Sequence, residues 1–159
     1  MATGLLGIGR QLAPLDVKRL VLFAMLLALT ACREVRVQTL AQGVTTVPGG
    51  NAIVIVRNNA TLERLGIHAS VRYRSEFGVV LLMGPHDRTG YRQIIESIRA
   101  SITDVRIIAF EQGPANGGEP TEPYRTYTLW IVPNTVYRRG IAVNVVTPDG
   151  TPVTHTALP

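Results

Sequence analysis

The chain has 159 residues, 46% apolar, 17% charged and 6% aromatic, which suits one folded domain and excludes a disordered chain. Its single cysteine excludes an internal disulfide framework and a cysteine-rich zinc site, and His68, His86 and His155 show no metal-ligand spacing. The net charge of +5 comes from arginines scattered along the chain and one lysine, Lys18; no basic run interleaved with aromatics occurs, so nucleic acid is not an expected partner and no cofactor motif is present.

Residues 1–19 carry Arg10, Lys18 and Arg19, and residues 20–31 form an uncharged apolar run. Twelve residues are too few to span a bilayer, which takes about 20, but they suit the apolar segment of a secretory signal behind a positive leader. The run ends in Leu29-Thr30-Ala31-Cys32, which resembles the bacterial lipoprotein box. Small residues at 30 and 31 let a peptidase reach the bond before Cys32. The resemblance implies a signal peptide over 1–31, a Cys32 thiol that accepts a diacylglyceryl group and becomes the mature N-terminus, and membrane attachment through N-terminal acyl chains, palmitate included. Arg33, rather than aspartate, follows the cysteine, which implies delivery to the outer membrane in an organism that has one. The remaining chain holds thirteen arginines against ten carboxylates, a net charge of +3.

Residues 32–50 read as a tether with room for one short strand, alternating briefly at Val35 and Val37 and ending in Val47-Pro48-Gly49-Gly50. A β-branched run over 51–57 predicts a strand. Asn58 and Asn59 then cap a short helix over 60–65, closed by Gly66, with Leu62 and Leu65 turned to the core. Alternation predicts a strand over 71–74. The unbroken apolar run 77–83, stopped by Gly84-Pro85, predicts a central strand covered on both faces. Residues 91–101 fit either a helix, through Ile94, Ile95 and Ile98, or a strand; a hairpin with a strand over 105–110 is favoured. Residues 111–122 read as a loose loop, 124–132 and 140–146 as strands, and Pro148-Asp149-Gly150 as a turn. Residues 147–159 read as a C-terminal tail. The expected fold is mainly β over 51–146: a small antiparallel β-sandwich or bent sheet with one short helix, with α+β as the alternative. Ile53, Ile55, Val79, Leu81, Ile107, Leu129 and Val143 are its expected core.

Catalytic patterns are scarce, with no nucleophile elbow, zinc-protease helix or phosphate loop. The adjacent His86 and Asp87 could serve as a base and its carboxylate, the basis of an alternative reading as a small hydrolase; the same residues also suit a polar turn. His86, Asp87, Arg88, Thr89, Gly90 and Tyr91 form the candidate binding loop. Glu76-Phe77, the apolar run to Gly84, Thr89-Gly90-Tyr91, Glu111-Gln112-Gly113-Pro114 and Pro123-Tyr124 leading to Val132-Pro133 together resemble the C-terminal domain of PrcB-type protease-complex subunits. Gly90 stands alone where that family pairs two glycines. The resemblance covers residues 53–145 and implies a non-catalytic, β-rich lipoprotein domain that binds or stabilises a partner, a secreted protease among the candidates. It carries over no catalytic residues. A purely structural envelope lipoprotein is a further alternative.

Overall fold

The computed structural model describes residues 37–101 and 103–159. The signal peptide, Cys32 and the start of the tether lie outside the described residues, as does Ile102. Among the described residues eight strands form two four-stranded sheets: β1 (Gln38–Thr45), β2 (Ala52–Val56), β3 (Glu76–Arg88), β4 (Arg92–Ala100), β5 (Asp104–Gln112), β6 (Pro120–Pro133), β7 (Ala142–Val146) and β8 (Pro152–Ala157). One sheet has the order β1-β6-β3-β2 and the other β4-β5-β7-β8. The fold is mainly β, as the composition of its apolar runs led one to expect. All pairings are antiparallel except β5 with β7, which run parallel. The chain leaves β5, crosses to the other sheet as β6 and returns as β7, so an all-antiparallel arrangement does not hold.

Strand β3 explains the architecture. Phe77, Val79, Leu81 and Met83 face the second sheet, where they meet Val105, Ile107, Ala109, Val143 and Val145 with Trp130 and Val132 of β6. Val80 and Leu82 point the other way. There they are covered by α1 (Asn59–Arg64) and the segment behind it, which deliver Leu62, Leu65, Ile67 and Val71. A strand with no polar face has to be covered on both sides, and the chain supplies one cover as a sheet and the other as a helix with its loop. Of the expected core, Val79, Leu81, Ile107, Leu129 and Val143 are buried, while Ile53 and Ile55 are half-buried against the same interior.

The helix forms as its caps require. Asn58 Oδ1 accepts from the Thr61 amide at 3.0 Å, and Gly66, at φ +66°, closes the last turn by donating to the Glu63 carbonyl. Residues 91–101 resolve as strand β4, hairpinned to β5.

Four expectations are corrected. The strand that the tether leaves room for is not a short one near Val35 and Val37 but the eight-residue Gln38–Thr45, paired with β6, so the segment is not a free linker through residue 50. The tail is not frayed: Pro152–Ala157 pairs with β7, and Leu158 is buried. No strand forms over 71–74; the amides of Tyr73, Ser75 and Glu76 close local turns instead, because this segment must bend to lay Ile67 and Val71 over the first sheet. The loose loop shrinks to 113–119, since β5 runs to Gln112 and β6 starts at Pro120.

Candidate functional site

The expected binding loop straddles the end of β3 and the turn into β4. His86, Asp87 and Arg88 continue β3 beyond the Gly84-Pro85 step, with bulges on either side of His86. Their surroundings come from the 113–119 loop and from Tyr124. Tyr124 donates its hydroxyl to the Arg88 carbonyl at 2.9 Å and accepts from the Tyr91 amide at 3.3 Å. Thr89 exchanges two hydrogen bonds with Glu119: its amide donates to the Glu119 carbonyl at 2.8 Å, and its hydroxyl accepts the Glu119 amide at 3.0 Å. The Arg88 guanidinium reaches the carbonyls of Gly117 and Gly118. Gly118 sits at φ +66°, and a Cβ there would collide with the Thr89 carbonyl oxygen and lie 2.9 Å from Pro114 Cγ. Gly118→Ala should therefore cost about 2 kcal/mol from left-handed strain and crowding, read as a lower urea midpoint at unchanged slope.

His86 does not pair with Asp87. Its Nε2 lies 2.8 Å from Glu111 Oε1, and its ring stacks on Tyr91 at 3.9 Å and 9° with Tyr124 tilted nearby at 5.6 Å. Asp87 points away and is exposed. On a strand, adjacent side chains leave opposite faces, so sequence neighbours are poorly placed to form a dyad. Glu111 also accepts from Thr126 Oγ1 at 2.5 Å, and Thr126 Oγ1 accepts from Gln93 Nε2 at 3.1 Å. Gln93 Nε2 further donates to the carbonyls of Leu81 and Thr126. A carboxylate only accepts, so the His86 nitrogen facing Glu111 carries the proton. The result is a polar chain from β3 through β5 and β6 to β4, at the end of an otherwise apolar interior.

This cluster offers a base with an orienting carboxylate. The hydroxyl beside it, Thr126, donates to Glu111 rather than to the imidazole, so it is not activated as a nucleophile. No group of three or more metal-ligating side chains occurs among the described residues. Glu111→Ala should cost about 2 kcal/mol, because Thr126 and His86 both lose a charged acceptor, whereas Asp87→Ala should stay within about 0.5 kcal/mol. Chemical denaturation of the two variants side by side checks the assignment.

Beside the cluster the two sheets part. A cleft of about 240 Å³ opens between the inner face of β1 (Gln42, Val44), the start of β4 (Tyr91, Arg92, Gln93) and Thr126 and Thr128 of β6. Gln42 donates to its β6 neighbour Thr128 at 3.1 Å along one wall, and Gln93 Oε1 is buried there without a hydrogen-bond partner. A second, mostly apolar cleft of about 310 Å³ lies on the other side of Val44, against Thr89, Gly90, Thr121, Glu122 and Tyr124. Nearby, Arg125 is buried and donates to the carbonyls of Val47 and Gly50, and its desolvation lowers its pKa from the usual arginine value.

No family model, curated protein or solved structure matches this chain. The site therefore rests on its geometry.

Glu111, Thr126, Gln93 and Val44 were not singled out from sequence. A signal existed for two of them. The inward positions of β5 are Val105, Ile107 and Ala109, and one more step of period two reaches Glu111. Thr126 and Thr128 share a face with Trp130, which places two hydroxyls on a core-facing row.

Proposed function

We propose that this chain is a lipid-anchored cell-envelope lipoprotein whose β-rich domain is a non-catalytic module for binding a protein partner. The partner is an envelope or secreted protein, and the resemblance to PrcB-type subunits favours a secreted protease that the domain stabilises or assists. The observation that supports this reading best is how the reactive-looking groups are spent. His86, Glu111 and Thr126 join the strands of two sheets, and Arg88, Thr89 and Tyr124 lock the adjoining loops. What stays open is an apolar side chain on an edge strand, the kind of feature that proteins rather than small substrates occupy. The anchor rests on Leu29-Thr30-Ala31-Cys32.

Crosslinking of intact cells followed by affinity recovery of the tagged chain tests the proposal. One envelope or secreted protein should be recovered reproducibly, and recovery of none would overturn the binding reading.

A further inference from the structure

Each sheet has two edges, and they are unequally protected. Strand β4 carries Arg92, Glu96 and Arg99 and is broken by a bulge between Ile95 and Ser97. Strand β8 opens on Pro152 and has six residues. Strand β2 has five residues, and its side chains already pack into the interiors on its two faces. Charges, bulges, proline and short length are the devices by which edge strands resist pairing with other chains.

Strand β1 is different. Its eight residues, Gln38 to Thr45, include no charge and no proline, and most of its side chains are exposed. It also overhangs. Strand β4 lies against β6 and β2 lies against β8, so the inner face of the outermost strand of the first sheet meets the second sheet only at the start of β4, across the cleft described above. Val44 faces that gap on the same side as Thr126, at 59% exposure, and is the one exposed large apolar side chain among the described residues. Clefts lie on both sides of it. Among the described residues, the bulge between Thr39 and Ala41 leaves a regular free edge from Ala41 to Thr45.

We propose that the free edge of β1 is the docking strand for the partner, which adds an uncharged extended segment as a fifth strand of this sheet and lays an apolar side chain against Val44. This rests on the binding reading above and names the part of the surface that does the binding. The occupant follows from the surface. Open main-chain donors and acceptors in a row are matched by another extended backbone. Strand β1 itself offers no charge to pair with a charged segment, and the charges at the two clefts belong to other strands and oppose each other in sign: Arg92, already hydrogen-bonded to Gln112, and Glu122. The apolar cleft between Val44 and Tyr124 takes a side chain of the same kind.

The test uses the full chain in cells, with a benzophenone amino acid replacing Gln42 on β1 or, separately, Arg106 on the outer face of the other sheet. The Gln42 position should crosslink to a different protein, and sequencing of the adduct should place it in an uncharged stretch of about five residues or more. Val44→Lys adds the missing edge charge at an exposed position, so it should leave thermal unfolding unchanged and cut that adduct about tenfold or more. An adduct with a second copy of this chain, an adduct in a charged segment, or one that survives Val44→Lys would overturn the proposal. Capture at Arg106 alone would overturn it as well, while leaving the binding function standing. If whole-cell crosslinking also recovers nothing, the binding function falls with it.

Discussion

Leu81→Asp should leave the domain unfolded at room temperature. Leu81 is fully buried on the inner face of β3, between Ile53 of β2 and Thr128 of β6 in register and opposite the second sheet. Truncating a leucine of this kind costs about 2–5 kcal/mol in lost burial and cavity. An uncompensated buried charge adds about 3–5 kcal/mol. The sum, about 5–10 kcal/mol, is comparable with the whole stability of a domain of this size, about 5–15 kcal/mol. Circular dichroism and a urea titration read the outcome. A soluble variant with a normal unfolding transition would show that β3 is not the centre of the fold.

Cys32→Ser should abolish lipidation and the cleavage before residue 32. If the chain is a lipoprotein as proposed, acyl chains on Cys32 supply the attachment, at about 0.8 kcal/mol for each buried methylene. A net charge of +3 on the remaining chain adds only about 1 kcal/mol for each basic residue that reaches an anionic surface. The wild type should take up a fatty-acid analogue and sediment with membranes. The serine variant should take up none, and it should accumulate as uncleaved precursor or appear as soluble protein after cleavage nearby by another peptidase. The domain should still fold in that variant, because Cys32 precedes the first strand. A wild type that stays membrane-bound without label would overturn the lipoprotein reading.

What the sequence made legible tracks how locally each element is determined. The β3 run was readable because an apolar stretch without alternation specifies its own environment on both faces. The helix was readable because Asn58 and Gly66 cap it from within a few residues. Strands β1 and β8 were not. Gln38–Thr45 and Pro152–Ala157 are rich in glutamine, threonine and small residues, and their extended state comes from the ladders of β6 and β7 rather than from their own pattern. The 71–74 segment misled in the opposite sense: it alternates like a strand, yet its main chain turns. The polar cluster was half legible. His86 stood out, but its carboxylate is Glu111, brought to it across the two sheets, and no local pattern couples those positions.

The pairing of β1 with β6 also sets an order of events. Gln38 is in register with Ile131, and the parallel alignment of β5 with β7 is complete only after β6 has crossed between them. A chain delivered N-terminus first, from a ribosome or through a membrane pore, therefore cannot close the first sheet until residue 131 has emerged. Closing ladders over such sequence separations belongs to the slow end of two-state folding, on the order of milliseconds to seconds. For that interval β1 lacks its ladder and β3 has only β2 beside it, so main-chain groups of both stay exposed; this is a chain that stays threadable late and is most vulnerable to wrong pairing just before it finishes.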